Sequence, residues 1–241
     1  MKSVFRLIGR IIAALLITVI VVGCFAVAYL GITGYNEYKA VLEECPLETK
    51  IAELRGRDNF ITKDQLPEIY VNAVLAAEDH NYYGHGPISI VSTARAILKN
   101  IKAREYTEGG STITQQVAKN LYFTQEKKLV RKVAEMFMAI ELERNYSKDE
   151  IFEFYVNNIY YGSGYYCIYD AAMGYYDVHP KDLSDFDATE LAGVPNAPSV
   201  YSPDNNTPLT AQRQQQVIDK MVKYGYIEKD KAEEILAGKG E

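Results

Sequence analysis

Glu78 and Asp79 close a short apolar stretch, Ala73-Val74-Leu75-Ala76-Ala77, and run into a turn-forming segment, Asn81-Tyr82-Tyr83-Gly84-His85-Gly86-Pro87. A carboxylate at the end of an apolar helix is partly desolvated, which raises its proton affinity toward that of a general base or acid. A solvated pair of surface acids is the other reading of the same two residues. Further on, Gly109-Gly110-Ser111-Thr112 stand before a helix start. Two glycines let backbone amides turn toward an anion, and the helix N-terminus adds its partial positive charge. Lys119 follows on that helix, and Lys127, Lys128, Arg131 and Lys132 form a basic group soon after. Such charges suit a pyrophosphate, with a solvated helix face as the alternative. No CxxC pair occurs, and His80, His85 and His179 have no ligand-like neighbours, so no metal site follows.

The elements that must position these groups read as helices. Pro67 suits a first turn, and Ile69, Ala73, Val74 and Ala77 recur at helical spacing up to the Glu78-Asp79 pair. Residues 89–102 form a second amphipathic pattern. Thr112 and Gln115 make a T-x-x-Q capping box that opens a helix to about Tyr122, and residues 128–144 continue in helical period. Ser147 with Glu150 gives another capping box, and Asp187 with Glu190 a third, before the breakers Pro195 and Pro198. Repeated caps without an alternating strand pattern predict an all-α domain. Twenty tyrosines and no tryptophan are present, many at 155–176. There Tyr160, Tyr161, Tyr165, Tyr166 and Tyr169 could wall a sugar site, although core packing with satisfied hydroxyls is the favoured account.

The chain divides into a tail at 1–10, an apolar run at 11–33, a stalk at 34–59 and a domain at 60–241. The run of 23 uncharged residues from Ile11 to Thr33 would be about 34 Å long as a helix, enough to cross a bilayer core of roughly 30 Å. Lys2, Arg6 and Arg10 precede it, and Glu37 is the first acid after it. The positive-inside bias then puts the N-terminus in the cytoplasm and residues after about Tyr35 outside. Val21-Val22-Gly23-Cys24 also fits a lipobox, and a cleaved signal is a further option. The apolar run continues through Leu30, as a spanning helix would and a signal h-region would not. Cys45 and Cys167 remain outside the run, as a disulfide or as two thiols. With 48% apolar and 24% charged residues the composition is globular, and a net charge of -6 argues against nucleic acid.

Several of these segments resemble one family. Glu78 to His85 is similar to the E-D-x-x-F-x-x-H motif of the glycosyltransferase family 51 domain, found in penicillin-binding proteins and monofunctional peptidoglycan transglycosylases. Gly109 to Asn120 matches G-G-S-T-[IL]-T-Q-Q-x-x-K-N in full, and Arg131 to Glu135 matches R-K-x-x-E. Lys148 to Gly162 follows K-x-x-I-L-E-x-Y-L-N-x-I-Y-x-G closely, and Leu191 to Pro203 is similar to L-A-G-x-P-x-A-P-S-x-Y-x-P. Tyr82 stands where Phe is usual, Pro87 where a Gly is usual after His85, and Lys127 where an Arg often contacts phosphate.

The resemblance implies a lysozyme-like globular lobe with a small membrane-proximal hydrophobic lobe. It implies a bacterial membrane enzyme, with its domain outside, that joins lipid II to a growing lipid-linked glycan strand. Glu78 would take the proton of the acceptor 4-hydroxyl, and Glu135 would orient the donor or assist the leaving group. Ser111, Lys119, Lys127, Arg131 and Lys132 would hold the pyrophosphate, with Asp79, His85, Gly110, Thr112, Gln115, Gln116 and Asn120 completing the substrate site. No cofactor is required, and a magnesium or manganese ion at the pyrophosphate is optional. Lipid II, the lipid-linked strand and the membrane would be its partners, and the cell-wall synthesis machinery could be a further one. A lysozyme-like hydrolase would need neither nest nor basic cluster, and a non-catalytic scaffold would not need Glu78.

Overall fold

The computed structural model describes residues 2–91, 93–95, 109–123, 128–205 and 207–238. Among these the secondary structure is helical and no strand occurs, as the repeated caps predict. A long helix α1 (Lys2–Glu44) comes first, followed by α2 (Leu47–Arg55) and α3 (Glu68–Glu78). Then come α4 (Ile113–Tyr122), α5 (Leu129–Asn145), α6 (Lys148–Val156), α7 (Ile168–Tyr176), α8 (Asp185–Gly193) and the single turn α9 (Pro198–Tyr201). Helices α10 (Pro208–Lys223) and α11 (Lys229–Ala237) complete the described chain.

The core is built around α3. It buries Tyr70, Val71 and the whole run Ala73–Ala77, and a helix apolar on every side has to lie inside the domain. Its alanines allow close approach by α8 and α10, while α4 packs on α5 and α6. Asn157, at the end of α6, ties in the segment before α3: its side chain accepts from the Ile61 amide at 2.8 Å and donates to the Ile61 carbonyl at 2.7 Å.

The apolar part of α1 is long and hydrophobic enough to cross a membrane, and none of it is buried against the rest of the protein. Cys24 lies exposed within this unbroken helix. The expected stalk at 34–59 takes a different form. Helix α1 runs on to Glu44 and packs along α5, with Tyr35 and Tyr38 against Phe137 at centroid distances of 5.3 and 5.9 Å. Leu47, Ile51 and Leu54 of α2 belong to the main core. The mixed charge of this segment hides a one-sided apolar stripe, so it reads as solvated when it is half-buried.

Two smaller expectations also change. Helix α8 is capped by Ser184, which accepts from the Asp187 amide at 3.1 Å, and not by Asp187 with Glu190. Glu190 instead accepts from the Tyr176 hydroxyl at 2.6 Å. Cys45 and Cys167 are both thiols. Cys167 serves as the N-cap of α7, and burial pushes its thiol up to about 11. Of the second amphipathic pattern, Ile90 and Val91 are helical and strongly exposed, and residues 96–102 lie outside the described part.

Gly34 marks the crossing of α1 on α5, where an added Cβ would lie 2.6 Å from Val133 Cγ1 and 3.1 Å from the Val130 carbonyl. Gly34→Val should therefore force the helices apart at a cost of about 1–3 kcal/mol. In detergent-solubilised protein this should lower the melting temperature by roughly 2–12 °C; an unchanged melt would mean that the α1–α5 contact adds nothing to stability.

Candidate active site

The C-terminal end of α3 opens into a cleft of about 220 Å³. Glu78 ends the helix there with its side chain 13% exposed. Gln116 of α4 donates from Nε2 to Glu78 Oε2 at 2.7 Å, and Arg213 of α10 brings Nη2 to 3.9 Å from Oε1. The carboxylate is thus oriented by an amide, faces a guanidinium and retains access to the cleft. Behind it the Lys220 ammonium donates to the Ala77 carbonyl at 2.7 Å, satisfying one of the last carbonyls of α3.

Asp79 borders the cleft but is almost fully buried, with its carboxylate committed to groups inside the protein. Its Oδ1 meets His85 Nε2 at 2.6 Å, and its Oδ2 accepts from the Ile113 amide at 3.2 Å. His85 spends its other ring nitrogen on the Gly86 carbonyl. Thr112 is equally committed. Its hydroxyl accepts from the Gln115 amide and donates to the Pro87 carbonyl, while Gln115 Oε1 accepts from the Thr112 amide. The expected capping box is present, and it changes the anion reading. Two first-turn amides of α4, those of Ile113 and Gln115, already have oxygen acceptors, so a ligand meets mainly side chains.

Those side chains form a cationic wall. Lys132 Nζ donates to Ser111 Oγ at 2.8 Å and to Glu135 Oε2 at 3.0 Å, and Arg131 Nε lies 3.2 Å from Glu135 Oε1. Glu135 itself is only 1% exposed and clasps both cations. This geometry favours a positioning role for Glu135 over direct attack. Lys119 sits nearby with its proton affinity lowered, first by burial and then by Arg131 and Lys132, against the pull of Glu135 and Glu78. As pH rises, Lys119 gives up its proton before an ordinary lysine would. The walls carry five basic side chains, Arg95, Lys119, Lys132, Arg213 and Lys220, against the carboxylates of Glu78, Asp79 and Glu135. The local sign is opposite to the chain's net charge of -6.

A family model described as "Transglycosylase" matches residues 48–222. The chain belongs to the transglycosylase family. It is 41% identical over 177 residues to "Penicillin-binding protein 1A" of Aquifex aeolicus, covering 73% of this chain and 24% of that protein. It is 45% identical over 174 residues to "Penicillin-binding protein 2D" of Bacillus subtilis, covering 72% and 25%. A second Bacillus subtilis relative, "Penicillin-binding protein 1F", is 35% identical over 215 residues, covering 86% and 30%. The chain thus spans about a quarter to a third of the length of these relatives.

Within this transglycosylase domain, Glu78, Ser111, Gln115, Gln116, Lys119, Lys132 and Glu135 line one cleft, with Arg131 beside it. Gly110 borders it through a carbonyl that accepts from Thr93 Oγ1. Asp79 also borders the cleft but is committed to His85 and the Ile113 amide, His85 and Thr112 act behind the surface, and Asn120 lies on α4 away from the lining. Lys127 lies outside the described residues. Arg213, Lys220, Asn196 and Tyr224 were not anticipated as lining residues. Arg213 carried a signal all the same: with Val217 and Met221 it falls on the buried stripe of α10, where a lone cation requires a polar partner. His80 stacks on Tyr224 with centroids 4.0 Å apart, a pairing that neither local sequence predicts.

Because Asp79 is buried and joins the loop to α4, Asp79→Ala should lower stability by about 3 kcal/mol or more. A denaturant melt of the solubilised chain reads this directly, and an unchanged midpoint would make the Asp79–His85 pair incidental.

Proposed function

We propose that this chain is a peptidoglycan glycosyltransferase that polymerises lipid II into β-1,4-linked glycan strands. The observation that carries the reading is one cleft holding an oriented, accessible carboxylate, Glu78, opposite a clamped cationic wall formed by Lys119, Arg131 and Lys132 with Ser111. A base facing an anion site is what attack on a pyrophosphate-linked sugar needs. A simple hydrolase of neutral glycan has no use for that wall.

In this reading the lipid-linked strand is the donor and lipid II the acceptor. The acceptor 4-hydroxyl oxygen attacks C1 of the donor sugar, and its proton passes to Glu78. As the new C–O bond forms, the bond from C1 to the pyrophosphate oxygen breaks, and undecaprenyl pyrophosphate leaves with the electron pair. Attack opposite the leaving group inverts C1, so an α-linked donor gives a β link. Lys119, Lys132 and Arg131 offset charge growing on the departing pyrophosphate, and Gln116 and Arg213 hold the Glu78 carboxylate.

A divalent cation does not fit as a protein-held group. Glu78, Asp79 and Glu135 each already have partners, and no cluster of three metal-ligating side chains occurs among the described residues. Magnesium or manganese would enter only with the pyrophosphate.

The α1 helix anchors the domain, with the three basic residues before its apolar run on the cytoplasmic side and the cleft outside, where cell-wall synthesis machinery could meet it. Protease added to intact cells should therefore reach residues after Tyr35 while the first ten stay protected. Cleavage of the N-terminal tail instead would reverse the orientation.

The sharper test is Glu78→Gln. Glutamine keeps an oxygen for Gln116 but cannot accept the proton, so polymerisation of lipid II should fall by roughly 10²- to 10⁴-fold while folding and lipid II binding persist. A variant that polymerises at the parental rate would remove Glu78 from catalysis. A parental protein that only cuts finished peptidoglycan would make the chain a hydrolase.

A further inference from the structure

The tyrosines at 155–176 separate into two populations. Tyr155 and Tyr161 are fully buried, and the Tyr161 hydroxyl pairs with that of Tyr70. Tyr165 meets Tyr175 edge-on at 4.9 Å, and the Tyr175 hydroxyl donates to the Tyr161 carbonyl at 2.9 Å. These rings are core. Tyr160 and Tyr166 are not: they are 38% and 61% exposed, and their rings lie side by side with centroids 4.7 Å apart and planes inclined by 34°.

The backbone between them is shaped to keep them together. Tyr161 and Tyr165 close a tight loop, the Tyr161 amide donating to the Tyr165 carbonyl and the Tyr165 amide to the Gly162 carbonyl, both at 2.8 Å. Inside it Ser163 holds φ 50°, a left-handed conformation that costs a non-glycine residue of order 1 kcal/mol. Ser163 Oγ donates to Asp204 Oδ2 at 2.7 Å. At Gly162, with φ 87°, an added Cβ would lie 3.0 Å from Ser202 Cβ and 3.1 Å from the Pro198 carbonyl. The loop is therefore locked onto the segment 194–205, whose first residues, Pro195 and Asn196, line the catalytic cleft.

Two large rings left outward on a strained, anchored loop contribute little to the core. A tyrosine ring offers an apolar face with a polar rim. Its counterpart is a flat ligand with the same division, which describes a β-linked pyranose: the ring C–H groups form an apolar face and the hydroxyls lie at the edge. Among the described residues the most exposed aliphatic side chains are those of α1 and of Ile90, Val91 and Leu129, with only Val200 at 38% beside the pair, so a lipid contact fits it less well.

We infer that Tyr160 and Tyr166 form an accessory carbohydrate platform, reached from the cleft along residues 195–202, on which sugars of the glycan strand stack. The inference rests on the glycan-polymerising reading above and extends it to a second subsite. Full-length protein in detergent would be titrated with soluble β-1,4-linked N-acetylglucosamine oligomers, and saturation transfer to the sugar C–H protons followed by NMR. Tyr166→Ala should weaken this binding roughly 3- to 10-fold, and Tyr166→Phe, which keeps the ring, should restore it. On lipid II, Tyr166→Ala should leave the first coupling rate unchanged and shorten the strands.

Equal oligomer binding and equal strand length in parental and Tyr166→Ala proteins, with equal melting temperatures, would overturn the platform and leave polymerisation standing. Loss of binding to sugar-free lipid vesicles in place of oligomer would overturn it in favour of a membrane contact. A parental protein that binds the oligomer through Tyr166 yet makes no strands would sink the polymerising reading and keep the platform.

Discussion

Asp79 is the point from which the site is organised. One buried carboxylate receives the Ile113 amide at the start of α4 and His85 from the loop after α3. A charged acceptor buried this way is stabilising only while its donors stay in place, so three pieces of chain are held to one geometry. The adjacent Glu78 cannot share that burial, since neighbouring residues at a helix end diverge. It is left at the cleft, within reach of Gln116 one turn into α4. The same contact thus separates a buried, committed acid from one left accessible at the cleft.

The electrostatics follow a similar division. An acidic chain concentrates its cations around one cleft and restrains them with Glu135, which holds Lys132 and Arg131 from the preceding turn of α5. Without a bound anion, Lys119 is burdened both by desolvation and by these like charges, which lowers its proton affinity. A polyanionic ligand would relieve all three at once, and the stabilisation would grow with the charge on a leaving pyrophosphate.

Helix α5 also receives the end of α1, through Gly34, Tyr35 and Tyr38. The apolar helix and the cationic wall therefore belong to one packed unit, not to a tethered pair. A substrate carried on a lipid would be presented at a fixed height relative to that helix. The close approach at Gly34, where only a hydrogen fits beside Val133, makes the coupling rigid.

Much of this was legible in the residues themselves. Capping boxes at Thr112 and Ser147 announced α4 and α6 because they are local, satisfied within four residues. The apolar run of α1 was equally plain, and the motif spacing marked Glu78, Lys119, Arg131, Lys132 and Glu135 as one chemical set. Tertiary structure decided what local pattern cannot encode. It showed Asp79, His85 and Thr112 spent on holding the scaffold, drew Arg213 and Lys220 in from more than 130 residues along the chain, and turned a supposed stalk into core. It also split the tyrosines into buried and outward rings. Partners distant in sequence leave no periodic trace, and a polar side chain reads the same whether it faces a substrate or a backbone amide; only the packed fold tells the two apart.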